Sequence, residues 1–334
     1  MAHKAKTYIL PSGPALDKVC PPAFREVMDD TFDTVWNLSD EPYTTEQLAA
    51  IIGDAEIILS SWGSPRITLD MLNKAERLRY YGHAAGSVKG FVPGEIVERG
   101  VKVFSGAPRL AQSVGEYCLT VLLAMLKQLP ACSEAVRRGG WWDIANQHLG
   151  QELAGQTIGI VSASSTARAF LRLLGPFGVK VLVYDPYLSE DQAQQLGVER
   201  ASLEQVMHCP IISLHAPALP STVNLIDERL IRSIPDHAIL INSSRGAVLD
   251  EGALLAELQT GRFRAVLDVL QQEPPGLASP FLQLDNVLLT PHIAGNTEQC
   301  KRALMPEIVG DIVRSMRGEP TRYEVAPGTW NILA

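Results

Sequence analysis

Short apolar runs alternate along the chain with segments in which apolar residues recur every three or four positions. In the first third, the runs typical of strands are Tyr8–Leu10, Ile57–Ser60, Leu78–Tyr81 and Val101–Phe104. Stretches of helical period lie between them, among them Thr45–Ile52 and Thr68–Arg77. This alternation predicts βαβ units and a parallel sheet, because parallel strands need a crossover connection.

The same alternation resumes at residue 157 and is more regular. Six apolar runs follow one another, namely Thr157–Val161, Val179–Tyr184, Ile211–Leu214, Ala238–Ile241, Arg264–Leu267 and Val287–Leu289. Because polar residues do not alternate with the apolar ones, these runs predict strands covered on both faces, as in a doubly wound sheet. Helical segments such as Thr166–Leu174 separate most of them, and an amphipathic helix is predicted over Glu298–Arg317. The fold class is therefore α/β.

A long helix is predicted over Gln112–Lys127. Ser113 and Glu116 have the spacing of a capping box, which favours a helix start at this serine. Apolar residues occupy most of the helix circumference, so we expect the helix to be buried between domains or subunits. The following segment around Trp141–Trp142 is predicted to be irregular.

Composition and charge narrow the class of protein. The chain has 334 residues, which suggests two domains at roughly 150 residues each. Its formal net charge is −8, whereas a nucleic-acid binder would normally carry a basic stripe. No apolar stretch approaches the roughly 18 residues of a membrane span, and the first residues lack the apolar core of a secretory signal. Five widely spaced cysteines indicate buried reduced thiols. We expect a cytoplasmic protein with no nucleic-acid or membrane partner.

The turn after Thr157–Val161 is a candidate dinucleotide site. A Rossmann fold places G-x-G-x-x-G there, with the pyrophosphate at the N-terminus of the next helix. Here the three marker positions hold Ser162, Ser164 and Ala167, so the literal motif is absent. Taken alone, the turn leaves two interpretations open, nucleotide binding and a plain connection from strand to helix.

Asp185 favours the first interpretation. It ends the second strand of this region, 23 residues after Ser162, near the position where an acidic residue binds the ribose hydroxyls of a dinucleotide. A carboxylate there also repels a 2′-phosphate, which favours NAD over NADP. The alternative is an aspartate that caps a turn before Pro186.

Three further segments follow the last three predicted strands. They contain Arg245, Glu273 and His292, in the sequences I-N-S-S-R-G, L-D-V-L-Q-Q-E-P and T-P-H-I-A-G. The carboxyl ends of parallel strands share one edge of the sheet, where ligands bind in such folds. Arginine can bind a carboxylate through two parallel N–H donors, and histidine beside a carboxylate can supply a proton near neutral pH. This set suits the reduction of a 2-keto acid, in which hydride arrives at carbon and a proton at oxygen.

With these segments the chain resembles the D-isomer-specific 2-hydroxyacid dehydrogenases, a family that includes glycerate, phosphoglycerate and D-lactate dehydrogenases. The resemblance extends from about residue 55 to residue 320 and includes Ser113–Glu116, Gly155–Asp185 and His215–Pro217. It implies an NAD(H)-dependent oxidoreductase that interconverts a 2-keto acid and a D-2-hydroxy acid.

The resemblance also implies a role for each residue. Arg245 would orient the substrate carboxylate and carbonyl, and His292 would be the acid/base, paired with Glu273. Asp268 would hold the nicotinamide carboxamide. The residues expected to bind NAD (as NADH) are Ser162, Ser164, Ser165, Thr166, Asp185, Pro186, His215, Ala216, Pro217, Ser243, Asp268 and Ala294.

Substrate-binding residues are expected in two loops of the first third. They are, together with Arg245, the residues Trp62, Ala84, Ala85, Gly86 and Ser87. The second loop matches a glycine-rich stretch whose backbone N–H groups bind the substrate carboxylate, although Val88-Lys89 replaces the usual Asp-Asn. Trp62 could face the substrate side chain or be an aromatic that packs at a hinge. The histidines and cysteines of the chain do not have the spacing of a metal site, so we expect no bound metal.

Members of this family have two Rossmann-like or flavodoxin-like parallel-sheet domains with an active-site cleft between them. By this resemblance, residues 1–112 with 297–334 form a discontinuous substrate domain, and residues 113–296 form the NAD-binding Rossmann domain. Such proteins dimerise through the nucleotide domain, so a homodimer is expected, and this would explain the apolar circumference of Gln112–Lys127.

Two alternatives stay open. One is a non-catalytic, nucleotide-sensing regulator of the same fold, which would resemble the C-terminal-binding co-repressors and have a degenerate phosphate loop. The other is a formate dehydrogenase, which shares the fold but has a His–Gln pair that Glu273 disfavours. The serines of the turn are expected to weaken NADH binding by roughly 1–2 kcal/mol, because Ser162 loses the conformational freedom of glycine and Ser164 adds a Cβ atom where the backbone approaches the pyrophosphate. In the alternative, their hydroxyl groups donate to phosphate oxygens and the turn is an adapted phosphate site.

Overall fold

The computed structural model describes residues 3–147, 150–326, 328–330 and 333. The chain divides into two compact units. The first unit comprises residues 1–110 and 296–334, and the second comprises residues 111–295. The boundaries expected from the family resemblance lie one or two residues further along the chain.

The first unit is built on a five-stranded sheet, all parallel, in the order β2-β1-β3-β4-β5. The strands are β1 (Lys6–Ile9), β2 (Asp33–Trp36), β3 (Ile57–Ser60), β4 (Tyr80–His83) and β5 (Lys102–Ser105). The helices are α1 (Gly13–Val19), α2 (Pro22–Thr31), α3 (Thr45–Ile51), α4 (Leu69–Lys74), α5 (Glu95–Glu98) and, near the end of the chain, α14 (Glu298–Met316).

Helix α14 packs closely on the sheet of the first unit because a glycine lies beneath it. A Cβ atom at Gly82 in β4 would lie 2.7 Å from the side chains of both Ile308 and Leu59. Such distances are too short for carbon atoms, so a larger residue at position 82 would force these side chains to shift. The apolar face of α14 thereby completes one of the two cores of this unit.

The second unit is built on a seven-stranded parallel sheet in the order β12-β11-β10-β9-β6-β7-β8. The strands are β6 (Thr157–Val161), β7 (Lys180–Tyr184), β8 (Glu199–Arg200), β9 (Ile211–Leu214), β10 (Ile239–Asn242), β11 (Arg264–Leu267) and β12 (Val287–Leu289). The helices are α6 (Ala107–Leu126), α7 (Leu129–Arg137), α8 (Trp141–Gln147), α9 (Ser165–Leu174), α10 (Glu190–Leu196), α11 (Leu203–Met207), α12 (Glu228–Arg232) and α13 (Glu251–Gln259).

The strand order reverses at β6, which lies between β9 and β7. The chain goes outward from β6 through β7 and β8, and then returns to β9 and continues through β10 to β12 on the other side. A ligand crevice forms at such a reversal in open α/β sheets, outside the carboxyl ends of the strands. Two apolar clusters cover the two faces of this sheet, which explains the unalternated strands.

The start predicted for α6 is wrong. The helix begins at Ala107, because the Ser105 hydroxyl accepts a hydrogen bond from the Ala107 N–H at 3.2 Å and the Gly106 carbonyl accepts the next ones. Ser113 lies buried inside the helix, so it is not the cap. The boundary between the two units falls within α6, and its buried residues beyond that boundary belong to the core of the second unit.

Two other expectations from the sequence are corrected. Trp141-Trp142 begins the short helix α8 and is not irregular chain. Four of the five cysteines are buried free thiols, whereas Cys132 on α7 is partly exposed. In addition, the structure contains the edge strand β2, which the sequence reading missed.

In the described residues, no single helix is long and apolar enough to cross a membrane. Helices α6 and α7, bent by 55° at their junction, reach the necessary length and apolar composition only as a pair. Within the same residues, no three His, Cys, Asp or Glu side chains are grouped so that they could hold a metal ion.

Candidate active site

The turn between β6 and α9 has the backbone shape that favours glycine at its first marker position. Ser162 has φ = +73°, in the left-handed region that non-glycine residues adopt at a cost of about 1–2 kcal/mol. Ser164 differs, because its φ of −61° and ψ of 174° are extended and suit any residue. Only the first serine is therefore strained.

The Asp185 carboxylate holds this turn in place. Its Oδ2 accepts hydrogen bonds from the Ala163 N–H at 2.7 Å and from the Ser162 hydroxyl at 3.2 Å. Its Oδ1 accepts from the Tyr187 N–H at 2.8 Å. An ionised carboxylate has about four acceptor positions, so one on Oδ1 is left for a ribose hydroxyl. Pro186 follows on the surface of the same turn.

A line of side-chain hydrogen bonds connects the turn to the interior. The Ser164 and Thr166 hydroxyl oxygens are 3.0 Å apart, and the Thr166 oxygen is 3.0 Å from Nδ1 of His215. The Nε2 atom of His215 lies 2.9 Å from the Ser213 hydroxyl. Burial lowers the pKa of His215 to about 3, so its ring is neutral. Ala216 and Pro217 follow it, the first buried and the second partly buried.

The donor set of this turn fits a dinucleotide. Helix α9 begins without a side-chain cap, so the amide groups of its first turn, beginning at Ser165, are available to an anion. Hydroxyl groups lie beside them, and a carboxylate suited to a ribose diol lies at the end of the neighbouring strand β7. These are the groups that a diphosphate and its attached ribose require.

Two of the three predicted catalytic side chains form a hydrogen-bonded pair. Nδ1 of His292 is 2.7 Å from Oε2 of Glu273, and both side chains are partly exposed. The second oxygen of Glu273 accepts a hydrogen bond from the Leu270 N–H at 3.1 Å, which orients the carboxylate within its own loop. This contact occupies Nδ1 of the imidazole and leaves Nε2 free to exchange a proton with another molecule.

The buried carboxylate of Asp268 shapes the turn that carries His292. Its Oδ1 accepts from the Thr290 hydroxyl at 2.6 Å and the Ile293 N–H at 2.8 Å, and its Oδ2 accepts from the Ala294 N–H at 2.9 Å. The Asp268 carbonyl accepts from the His292 N–H at 2.9 Å. These bonds hold His292 at φ = +52°, which is an unfavourable angle for a histidine. That Asp268 also holds the nicotinamide carboxamide stays a prediction.

Arg245 lies at the end of β10, in a loop that packs against the loop after β11. A Cβ atom at Gly246 would lie 2.1 Å from the Leu270 carbonyl carbon, so only glycine allows this approach. Nη1 of Arg245 donates to the Ser244 carbonyl at 2.7 Å, which leaves most of its five N–H groups available. Burial lowers the pKa of Arg245, and the Glu273 carboxylate acts in the opposite direction. The arginine is charged throughout the physiological range.

The residues predicted to bind substrate in the first unit lie in two neighbouring loops. Trp62 follows β3 and is 40% exposed, whereas the segment 84–87 follows β4. The Ser61 hydroxyl donates to the Ala84 carbonyl at 2.8 Å, and the Ser105 hydroxyl donates to the Gly86 carbonyl at 2.8 Å. Both loops lie at the carboxyl edge of the five-stranded sheet. Their role in substrate binding stays a prediction.

Sequence reasoning missed Tyr117 and Thr290 as supports of the site. The Tyr117 hydroxyl on α6 is 2.6 Å from the Thr290 hydroxyl oxygen, which in turn bonds Asp268. The threonine of T-P-H was a visible signal, since it is polar and immediately follows a strand. Tyr117 gave no signal, because it lies about 170 residues away in a segment that reads as a core helix.

Comparisons with known proteins identify the family of the chain. Residues 119–294 match the family model described as "D-isomer specific 2-hydroxyacid dehydrogenase, NAD binding domain". D-3-phosphoglycerate dehydrogenase of Methanocaldococcus jannaschii is 32% identical over 279 residues, which cover 83% of this chain and 52% of that protein. The chain thus spans about half the length of the curated relatives it matches.

Solved structures agree in fold. A Pyrococcus horikoshii protein superposes with a TM-score of 0.81 at 22% identity, covering 97% of this chain and 96% of the other. A phosphoglycerate oxidoreductase from Rhizobium etli superposes with a TM-score of 0.79 at 24% identity, covering 98% of this chain and 100% of the other. Identities this low show the fold alone. On the strength of the family match, the chain belongs to the D-isomer-specific 2-hydroxyacid dehydrogenase family and contains its NAD-binding domain.

Proposed function

We propose that this protein is an NAD(H)-dependent oxidoreductase that interconverts a 2-keto acid and a D-2-hydroxy acid. The observation that carries the proposal is the His292–Glu273 pair at the carboxyl edge of a dinucleotide-binding sheet. Arg245 lies at the same edge, close enough for the Glu273 carboxylate to influence its pKa. The same edge of the sheet therefore holds His292 as a proton donor, Glu273 as the charge that stabilises the protonated donor, and Arg245 as the group that binds the substrate carboxylate.

Each residue has a distinct part in the proposed reaction. The dinucleotide, when bound, supplies the hydride. Arg245 binds the substrate carboxylate through two N–H groups, which fixes the carbonyl in one orientation. His292 transfers a proton from Nε2 to the carbonyl oxygen as the alcohol forms, and takes it back in the reverse direction. Glu273 stabilises the imidazolium and orients the ring through Nδ1.

The cofactor proposed is NAD rather than NADP. The Asp185 carboxylate sits at the end of β7 and would meet a 2′-phosphate as a like charge. The residues that would hold the adenosine side are Asp185, the serines of the turn and the first residues of α9. Those proposed for the nicotinamide side lie after β10, β11 and β12, and are Ser243, Asp268 and Ala294.

A spectrophotometric assay tests the proposal. NADH absorbance is followed with glyoxylate, hydroxypyruvate, pyruvate and bulkier 2-keto acids, and NAD reduction is followed with D-3-phosphoglycerate, because several relatives bear that activity in their names. We expect NADH consumption with at least one keto acid and a D-configured product. Tight NADH binding without turnover on any of them would instead support the non-catalytic regulator.

We also propose that the protein is a homodimer formed through the second unit. Helices α7 and α8 have no buried residue, and they expose four large apolar side chains. These are Leu129, Val136, Trp141 and Trp142. Two neighbouring exposed tryptophans are unusual on a free surface and are enriched in protein interfaces. A second copy of the chain would cover them.

Sedimentation velocity tests the dimer. We expect a dimer of the unmodified protein at micromolar concentration, and a monomer when Trp141 and Trp142 are both changed to serine. Leu277→Ser is the matched control, since Leu277 is a 96% exposed apolar residue elsewhere in the same unit. A monomeric unmodified protein, or a double variant that still dimerises, would contradict this assignment.

A further inference from the structure

The turn between β6 and α9, called the phosphate turn below, begins a line of hydrogen-bonded side chains, Ser164–Thr166–His215–Ser213. The hydrogen bonds along this line can all run in one direction or all in the other. Each of its three contacts is 2.9–3.0 Å long. Its inner end is fully enclosed, since His215 is 3% exposed and Ser213 is 0% exposed, whereas the two outer hydroxyls are only partly buried. The line therefore begins in the interior and ends at Ser164, the residue that precedes α9 in the turn proposed to bind the dinucleotide.

The protonation of His215 decides which way the hydroxyl groups point. A neutral imidazole has one N–H and one acceptor nitrogen, and the structure gives each nitrogen of His215 a hydroxyl partner. If Nδ1 carries the proton, it donates to Thr166, which then donates to Ser164, and the Ser164 proton is free to point outward. If Nε2 carries the proton, all the bonds reverse, and Ser164 presents only lone pairs.

We propose that Ser164 is a phosphate ligand of this dehydrogenase and that Thr166 and His215 orient its hydroxyl proton toward the pyrophosphate. The inference rests on the dinucleotide site of the proposed function. An anion accepts hydrogen bonds only, so it selects the direction in which Nδ1 of His215 is protonated. The hydroxyl group then contributes a donor that a glycine at this position lacks.

This assignment separates the two serines of the turn. Ser162 has a left-handed backbone and its hydroxyl donates to Asp185, so its side chain serves the turn itself. Ser164 has an extended backbone that is not strained by a Cβ, and its hydroxyl does not cap α9. The conformational cost of losing glycine therefore falls on Ser162 alone. The expectation that the Cβ atom of Ser164 hinders the approach of the pyrophosphate stays a prediction, and it is opposite to the effect proposed here.

Calorimetry with ADP and with adenosine tests the proposal without any turnover. ADP carries the diphosphate, whereas adenosine lacks it. We expect Ser164→Ala to weaken ADP binding about tenfold, a typical effect of losing a hydrogen bond to a charged group. Thr166→Val should weaken it by about three- to tenfold, because it leaves the Ser164 proton unoriented. Adenosine affinity should be unchanged by both substitutions.

The double variant and a control sharpen this test. Because Thr166 acts through Ser164, the double variant should bind ADP about as weakly as Ser164→Ala alone. Thr120→Val removes a comparable hydroxyl from the exposed side of α6, where it donates to the Glu116 carbonyl at 2.8 Å, and should leave ADP binding unchanged. Unchanged or tighter ADP binding by Ser164→Ala, or fully additive losses in the double variant, would overturn the proposal.

A second measurement uses the unmodified protein, so it does not depend on how the variants fold. Nitrogen-15 NMR of the imidazole rings distinguishes the two neutral forms of His215. We expect the Nδ1-protonated form to predominate when ADP is bound, and the Nε2-protonated form in the complex would refute the orientation. These readouts are independent of catalysis, so an inactive protein that binds ADP through Ser164 would contradict the proposed function and leave this inference standing.

Discussion

We expect two buried histidines to make the protein sensitive to acid, and His83 gives the clearest case. This side chain lies at the end of β4 with its ring centroid 4.3 Å from that of Phe91. Nδ1 is 2.8 Å from the Ser60 hydroxyl, and Nε2 has no hydrogen-bond partner in the described part of the chain. Burial lowers the pKa of His83 from its ordinary 6.5 to about 3, and burial does the same for His215.

The lowered pKa determines the direction and size of the effect. Well above pH 6.5 the ring is neutral in both the folded and the unfolded chain, so protonation of His83 takes nothing from the free energy of unfolding. As the pH falls from 6.5 toward 3, the unfolded chain takes up a proton that the folded protein refuses, and stability is lost. A pH of 5 lies about 1.5 units below the pKa of the unfolded chain, so His83 alone lowers the free energy of unfolding there by ~2 kcal/mol. A loss of this size is a large fraction of an ordinary folding free energy of about 5–15 kcal/mol.

Urea-induced unfolding at pH 7.5 and pH 5, followed by circular dichroism, measures this effect. His83→Asn keeps a polar partner for Ser60 but cannot take up a proton, so we expect its loss of stability on acidification to be ~2 kcal/mol smaller than that of the unmodified protein. Ser60→Ala is the control, because it removes the hydrogen bond and leaves the titrating ring. If His83→Asn loses as much stability between the two pH values as the unmodified protein, the buried ring is not the source.

Three further predictions concern the proposed catalytic edge. His292→Ala should lower kcat for the best keto acid by about 10²–10⁴-fold while NADH affinity, measured by fluorescence, is retained; wild-type turnover would remove this residue from the mechanism. Arg245→Lys should raise KM for the keto acid and lower kcat, because an ammonium group lacks the planar pair of donors, whereas a loss of NADH binding would place Arg245 in the cofactor site. Tyr117→Phe should reduce the free energy of unfolding in urea by about 1 kcal/mol, since it removes one hydrogen bond to Thr290; an unchanged value would mean that this contact contributes nothing.

The sequence predicted the strands of the second unit well because they are almost unbroken apolar runs, whether fully buried like β9 and β10 or only partly buried like the edge strand β12. Four of the six predicted runs coincide with strands β6, β9, β11 and β12 to the residue. The missed strand β2 is also an edge strand, but it begins with two polar residues, Asp33 and Thr34, so it lacks such a run. The short strand β8 at the opposite edge of the other sheet was missed for the same reason.

Helix limits were predicted less well where backbone geometry outweighs side-chain pattern. The spacing of Ser113 and Glu116 imitates a capping box, but α6 had already begun at Ala107 after the turn at Gly106. In the same way, the two tryptophans at the start of α8 carry no helix signal of their own. A local sequence pattern identifies a cap only if the preceding residues have left the helix, and that depends on the rest of the fold.

In the candidate site, too, features set by the local sequence were predicted, whereas contacts between distant segments were not. The sequence indicated Arg245, Glu273 and His292 because each follows a strand, and the structure places the last two within hydrogen-bonding distance. The support provided by Asp268 could be predicted only in part, since its carboxylate binds backbone N–H groups more than twenty residues away. Almost every residue type has a backbone N–H group, so a contact to one does not depend on which residue donates it and cannot be predicted from a sequence pattern.

The phosphate turn is where sequence and structure differ most in what they imply. The two serines suggest a degenerate loop, and that suggestion was the main reason to consider a regulator without turnover. The structure shows that the left-handed angle of Ser162 is retained although glycine is absent, with the Asp185 carboxylate bonded both to its hydroxyl and to the next N–H group. The bond from the Ser162 hydroxyl to the carboxylate, at about 1.5–3 kcal/mol, is comparable to the strain of about 1–2 kcal/mol and opposes it. The turn therefore keeps its left-handed shape at position 162 without glycine, so the loss of this glycine does not by itself favour the regulator over the enzyme.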